Sequence, residues 1–335
     1  MLPTGKCDHR LLSRLLGRFS AHDERVILGP GIGEDAAAID TGDSVLVVAT
    51  DPITFATSEI GYYSVIVNAN DVATAGAEPR WYSVVILLPE REGNDELLGK
   101  IFEQIQKACE ALGVSLIGGH TEITYGLDRP IVIGQMMGVT EKEGLVRTSG
   151  ARPGDLILLS KGISVEGTSL IAREKREELL SEGFSREVLE RAENFLFDPG
   201  ISIVKEALLA KGTGEVNSMH DITEGGLANG LHEIAIAANV SLELEMNRVP
   251  IYPETAELCD FYHLDPLGLI GSGSLIVTAP REVANRILSE GEREHMDFTI
   301  IGKVVASGHP SVMMITENGR REAPFFPRDE IVKIL

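Results

Sequence analysis

Three aspartates frame the chemistry open to this chain. Asp35 follows the glycine loop Gly29-Pro30-Gly31-Ile32-Gly33, Asp51 follows Thr50 at the end of an apolar β-run, and Asp71 follows Asn70 inside a helical pattern. Carboxylates delivered by three separate elements suit a divalent cation that in turn holds an anion. Mg2+ takes a few carboxylates and completes its shell with phosphate oxygens and water. Taken singly, each aspartate is a helix cap or turn residue. Interleaved with glycine and threonine, the three together point to metal–phosphate binding. Two further stretches place polar groups beside glycines. In Gly118-Gly119-His120-Thr121-Glu122, after an apolar run, the glycines permit close backbone approach, and His120, Thr121 and Glu122 are expected to direct polar groups to one place. The plainer reading is a strand-ending turn with a solvated histidine. In His220-Asp221-Ile222-Thr223-Glu224-Gly225-Gly226, a polar loop precedes a helix whose N-terminal N–H groups would offer an anion site.

Several chemistries are excluded at this level. The glycine loop is not a dinucleotide fingerprint, which must open a helix, because here a turn and then a strand follow. No G-x-x-x-x-G-K-[ST] stretch is present. His220-Asp221 brings to mind a metal-dependent phosphohydrolase, yet that pair belongs on helices with further histidines. His232-Glu233 has no second histidine four residues on, which removes a zinc protease and leaves an exposed helix position as the expectation. Cys7, Cys109 and Cys259 are far apart and form no C-x-x-C pair, so neither a disulfide nor a structural zinc is expected, and a reducing cytoplasm is the default.

The elements that must position these residues follow from periodicity. Leucines at 11, 12, 15 and 16 have helical spacing. Runs 36–39 and 45–49 read as a hairpin across Asp40-Thr41-Gly42-Asp43. A helix is expected over 60–75, on which Ser64, Asn68 and Asp71 share one face. A strand over 81–88, a helix over 95–112, a strand over 114–117 and a strand over 131–139 complete a first α/β unit. Turn formers at 148–155 mark a boundary. Beyond it, strands near 156–160, 216–219, 242–246, 275–279, 298–305 and 311–316 alternate with helices, the loop 220–226 lying between a strand and a helix over 227–238. The expectation is two α/β domains, 1–150 and 151–335.

With 335 residues, 43% hydrophobic content and 35 glycines, the chain is long enough for two cores and too apolar to be disordered. Its net charge of −21 argues against nucleic acid or an anionic membrane as partner, since both attract basic surfaces. A phosphate ligand must therefore bring or find a cation. No apolar run approaches the ~20 residues of a membrane span, and the N-terminal stretch lacks a signal-peptide core.

The motifs GxGxDAA, TDP, NDVATAGAEP, GGHTE, GARPGD and DxTxGGLANGLHEIA occur here in the order found in the AIR synthase (PurM-like) superfamily. The chain resembles most the hydrogenase-maturation HypE group, from LPTGK at 2–6 to DPLGLIGSGSLIV at 265–277. The resemblance implies a two-domain fold of mixed α/β class. Its N-terminal ATP-binding domain forms a β-barrel across a homodimer, and its C-terminal domain is α/β. It implies ATP and Mg2+ bound in a cleft, and phosphorylation of an oxygen of an amide-like small or carrier-bound acceptor. By matching positions, Asp35, Asp51 and Asp71 would hold Mg2+, with Thr50 and Asn70 beside the phosphates. Gly31 and Gly33 would clamp the nucleotide, while Gly118, Gly119, Thr121 and Glu122 would line its path. Asp221 and Glu224 would face the cleft, Lys6 would reach a phosphate, and His120 with Asp71 would serve catalysis. One departure stands out. The HypE group carries its carbamoyl group on a cysteine at the extreme C-terminus, whereas this sequence has no cysteine after Cys259. The alternatives are a non-catalytic nucleotide-binding partner in a maturation complex and a metal-dependent nucleotide phosphohydrolase.

Overall fold

The computed structural model describes residues 6–7, 9–19, 22–54, 56 and 58–334. Leu2–Gly5 of the LPTGK stretch lie outside the described residues. The chain divides into two compact units. One, the N-unit, comprises Ala21–Gly29 and Asp35–Leu145; the other, the C-unit, comprises Met1–Ser20, Pro30–Glu34 and Val146–Leu335.

The leucine-rich segment forms α1 (His9–Leu16) and belongs to the C-unit. In the N-unit, β1 (Val26–Leu28), β2 (Ala37–Asp40) and β3 (Val45–Ile53) run antiparallel, followed by α2 (Ile60–Thr74) and β4 (Glu78–Pro89). Then come α3 (Asp95–Leu112), β5 (Ser115–Thr124) and β6 (Ile131–Thr140). The strand order is β1-β2-β3-β6-β4-β5, antiparallel throughout except for β4 and β5. Helix α3 connects that parallel pair, as a parallel connection requires a crossover. Its own ends are set by sequence: the Asn94 side chain accepts from Leu97 N, and Gly113 closes it at φ 68°.

Helix α2 is buried along nearly its whole length, packed against β3, β6 and α3. This matches its composition, in which Asp71 is the only charged residue. Along β3, β4 and β6 every second residue is buried under the helices, and the alternate residues of the other face are only half-buried. That second face is apolar: Val85, Leu87, Ile133, Met137 and Val139 lie on it.

The C-unit holds β7 (Leu156–Ser160), α4 (Val165–Glu174), α5 (Arg176–Ser181), α6 (Arg186–Asn194), α7 (Val204–Gly212), β8 (Ser218–Asp221) and α8 (Gly226–Ala238). It continues with β9 (Val240–Glu245), α9 (Pro253–Tyr262), β10 (Leu275–Ala279), α10 (Arg281–Arg293), β11 (Phe298–Ser307), β12 (Ser311–Thr316) and β13 (Gly319–Glu322). The sheet order is β13-β12-β9-β11-β7-β10-β8, and only β12 and β9 are parallel. Strands β7 and β10 are buried at every residue, which explains their continuous apolar runs: both faces are covered. On one face Ile157, Leu159 and Ile276 share a core with Leu227, Leu231 and Ile234 of α8; α7 and α10 pack on the same central strands.

Candidate functional site

The candidate residues fall into two groups, one in each unit. In the N-unit the organising feature is the buried polar face of α2. Ser64 Oγ donates to Gly61 O at 2.9 Å and accepts from Tyr82 Oη at 2.9 Å. Burial pushes the Tyr82 phenol well above its ordinary range, against the smaller lowering by Ser64, so it acts only as a neutral donor. Asn68, fully buried, accepts from Asp51 N at 2.8 Å and donates to Asp51 O at 3.3 Å and Ser64 O at 2.8 Å. One amide side chain thus holds the Asp51 peptide on both sides. Asp71, 3% exposed, lies three residues beyond Asn68 on the same face of α2. Asn70 is fully buried beside it. Asp35 precedes β2 at the end of the β2–β3 hairpin where β3 carries Thr50 and Asp51, and the Thr50 hydroxyl donates to Gly134 O at 2.7 Å. Gly134 has a structural requirement: a Cβ there would lie 2.8 Å from both Ser64 O and Tyr82 Oη.

The Asn68 contacts yield a stability prediction. Asn68→Ala leaves a half-buried Asp51 N–H and the buried Ser64 carbonyl without this partner, which costs about 1–3 kcal/mol. Urea unfolding should show this as a lower midpoint, and an unchanged midpoint would remove the role assigned to Asn68.

The Gly118–Glu122 stretch differs from the sequence expectation. It is not a loop after a strand but the middle of β5, exposed throughout. Strand alternation separates its side chains rather than converging them. His120 and Glu122 pair with Val85 and Leu87 of the half-buried face, whereas Gly119 and Thr121 pair with Val84 and Ile86 of the helix-covered face. His120 Nε2 stands 3.6 Å from Glu122 Oε2. Gly118 follows a register shift opposite Tyr82/Ser83. Gly119 has φ 153°, and a Cβ there would run into the Val84 backbone.

In the C-unit three loops meet at one end of the sheet: 161–164 after β7, 222–225 after β8, and 265–274 before β10. Ile222 N donates to Ser274 O at 3.0 Å, Ser274 Oγ to Gly162 O at 2.6 Å, and Ser164 Oγ to Pro266 O at 2.7 Å. His220 and Asp221 belong to β8 itself, not to the loop, and both are 1% exposed. His220 Nε2 lies 2.8 Å from Glu233 Oε2. Glu233 Oε1 in turn accepts from Lys6 Nζ at 3.1 Å, and Lys6 also donates to Thr223 Oγ1 at 3.0 Å. Burial raises the Glu224 carboxyl, and Lys6 opposes that rise. Gly33, at φ 79°, seats on α8: a Cβ there would meet Glu233 O at 3.0 Å. Gly31 is exposed, while Glu34, which follows Gly33, accepts from Thr148 N and Ser149 N at 3.2 Å each.

Two expectations are corrected here. Glu233 is not an exposed helix position; it is 5% exposed and paired on both oxygens. Helix α8 is apolar almost all round, so its single carboxylate is carried inside, and that was the available signal. The N-terminus of α8 also already holds a carboxylate of this chain. Gly225 N donates to Asp329 Oδ2 at 2.7 Å, so a carboxylate from 104 residues further along occupies that position. Asp329 Oδ1 accepts from Ile331 N at 2.8 Å. Burial pushes Asp329 up to about 6 despite these N–H groups. Glu166, in the first turn of α4, is pushed up to about 7, with burial as the main cause, the hydrogen bond to Ser272 opposing, and Asp329 and Glu224 adding to the rise. Glu166 Oε2 has no hydrogen-bond partner among the described residues. No sequence pattern flags Glu166, Ser272 or Asp329, which are joined only by loop packing.

The chain was compared with known proteins. The model of the AIR synthase related protein N-terminal domain matches residues 33–140, and that of the C-terminal domain matches residues 152–315. A putative hydrogenase expression/formation protein of Methanocaldococcus jannaschii is 32% identical, over 87% of this chain and 86% of its own length. The carbamoyl dehydratase HypE of Azotobacter vinelandii is also 32% identical, over 85% of this chain and 82% of its own. The crystal structure of hydrogenase maturation protein HypE in complex with ATP is similar with a TM-score of 0.73 at 26% identity, covering 98% of this chain and 97% of that one. With both domain models matched in order and full-length relatives at this identity, the chain belongs to the AIR synthase related protein family.

Proposed function

We propose that this protein is an ATP- and Mg2+-dependent enzyme that phosphorylates an amide-like oxygen of a small or carrier-bound acceptor, turning a poor leaving group into a good one. The observation that carries this reading is the clamp of Asn68 on the Asp51 backbone, which ties β3 at Asp51 to the face of α2 that also carries Asp71. Their donors are carboxylate oxygens, the set that Mg2+ prefers. Asp51, Asp71 and Asp35 are therefore assigned to Mg2+, with Thr50 and Asn70 beside them. The ion would neutralise phosphate charge, and phosphoryl transfer needs positioning and charge stabilisation more than a covalent catalyst. In the C-unit, Lys6 is assigned to a phosphate, Gly31 and Gly33 to a nucleotide clamp, and Asp221 and Glu224 to the acceptor end. Gly118, Gly119, Thr121 and Glu122 are assigned to the nucleotide path, with His120 as proton carrier.

The names of the relatives support the same chemistry, since one is a carbamoyl dehydratase and another a HypE protein complexed with ATP. Cys109 and Cys259 are buried, and desolvation pushes their thiols up to about 11 and about 12. Neither suits a mobile acyl carrier, whereas Cys7 is exposed. The half-buried apolar face of the N-unit supports a homodimer, and the free thiols fit a reducing cytoplasm. Among the described residues no helix is long and apolar enough to cross a membrane.

Thermal melting tests the nucleotide claim. ATP with Mg2+ at a hundredfold excess over Kd contributes about 2.7 kcal/mol and should raise Tm, and Asp71→Asn should shrink the shift. An unchanged Tm at saturating Mg2+–ATP would sink the reading. Acceptor-dependent ADP release, with Asp51→Ala as control, then separates an enzyme from a nucleotide-binding subunit.

A further inference from the structure

The reading above assigns Lys6 to a phosphate but leaves open what holds a flexible N-terminal lysine in place. Lysine brings a compact charge on a four-carbon stem with about 2 kcal/mol of rotamer entropy, so an unheld ammonium binds phosphate at an entropic cost. The side chain of Lys6 is 40% exposed, while that of its partner Glu233 is only 7% exposed. Behind Glu233 stands His220, whose side chain is 2% exposed. The order is Thr223 Oγ1, Lys6 Nζ, Glu233 Oε1, then Glu233 Oε2 and His220 Nε2, at 3.0, 3.1 and 2.8 Å. A carboxylate this deep is tolerated only when paired and hydrogen-bonded, and here each oxygen has its own partner. Both contacts join segments remote in sequence, since Lys6 lies 227 residues from Glu233.

The same residue also acts through its backbone. Gly33 of the glycine loop packs against the Glu233 carbonyl, at a positive φ and with a Cβ there only 3.0 Å from that oxygen. One helical position, two turns into α8, therefore contacts the N-terminal lysine, the glycine loop and β8.

We propose that Glu233, backed by His220, is a positioning residue that presents the Lys6 ammonium to the phosphates of a bound nucleoside triphosphate. This rests on the nucleotide reading. Glu233 touches no nucleotide in this scheme; it acts through Lys6, whereas His220 acts through Glu233 by filling the second oxygen.

The position predicts a pattern that general loosening of the fold would not produce. Calorimetric titration of the full chain with Mg2+–ATP and, separately, with adenosine distinguishes phosphate recognition from base recognition. Glu233→Gln keeps an acceptor for Lys6 but removes the charge, and Lys6→Met removes the ammonium. Each should weaken ATP about tenfold, with adenosine affinity unchanged, because Lys6→Met removes the charge-assisted contact at the phosphates and Glu233→Gln releases the ammonium that makes it. The double variant should lose no more than Lys6→Met alone, since coupled partners are non-additive. His220→Gln, which retains a donor toward Glu233, should lose less than either. Equal loss of ATP and adenosine, or additive losses in the double variant, would overturn the proposal while leaving the nucleotide reading intact. Wild-type protein that binds no ATP would remove both, and that result is distinct from the others. If Glu233→Gln fails to fold, Lys6→Met and His220→Gln carry the same comparison.

Discussion

Glu166→Gln is expected to make the protein more stable than wild type at pH 8 and to leave it nearly unchanged at pH 4. Glu166 is held protonated by burial, with its carboxyl pushed from the ordinary 4.5 up to about 7. The sign follows from linkage. Below pH 4.5 the folded and unfolded chains both carry the proton, so the group adds no pH dependence. Between 4.5 and about 7 the unfolded chain releases the proton while the folded chain retains it, so stability falls as pH rises. Above about 7 both are ionised, and the loss is complete. A separation of this size corresponds to about 3 kcal/mol, a large share of a marginal stability of about 5–15 kcal/mol. Glutamine removes the titration and keeps the shape. Its amide also offers donors toward the acidic groups that oppose ionisation, Asp329 and Glu224. Asp329 titrates in the same sense over a lower window, up to about 6, so the variant should retain part of the slope below that pH. Urea midpoints measured from pH 4 to pH 8 check this. Parallel curves for wild type and variant would show that Glu166 ionises freely in the folded chain.

The second large effect concerns β5. A strand exposed on both faces, at a sheet edge, offers unpaired backbone groups and is a template for another chain. Here it also carries apolar side chains: Leu116 is 45% exposed, Ile117 56% and Ile123 60%, with Tyr125 at 85% just beyond. An exposed apolar stripe of this kind marks an interaction site. On the other face of the sheet, Val85, Leu87, Ile133 and Met137 of β4 and β6 are only half-buried as well. In the homodimer proposed above, this edge would face a second copy of this chain. Ile117→Asp with Ile123→Asp is therefore expected to convert a dimer to a monomer, raising the dissociation constant at least about a hundredfold, because two charges would be buried without partners. Light scattering behind size-exclusion chromatography reads this directly. A wild type of one-chain mass, or a doubly substituted variant of two-chain mass, would remove the interface from β5.

The same edge shows where sequence reading met its limit. The run Val114–Ile117 announces a strand, and two glycines after it announce a turn. Only the neighbour decides otherwise: β4 supplies a parallel partner through Thr124, and Gly119 is needed for the close approach of Val84. The strand therefore continues through the polar residues and deals them to opposite faces. Helix α2 was legible for the opposite reason. The spacing of Ser64, Asn68 and Asp71 is local to one helix, and helix geometry places them on one face whatever surrounds it.

What the amino-acid sequence determined by itself is thus the local part of this protein. It specified most of the strands and helices, the shared face of Asn68 and Asp71, the paired glycines that open α8, and the motif order that marks the family. These depend on backbone periodicity and on residues a few positions apart. Tertiary structure alone decided the rest. It assigned Pro30–Glu34 and the N-terminal segment to the C-unit, brought Lys6 to Glu233, and set Asp329 on the N-terminus of α8 where a free anion site was expected. Each of these joins residues more than a hundred positions apart, and its existence depends on how loops pack and which groups are desolvated. Neither is encoded in the spacing of neighbouring residues.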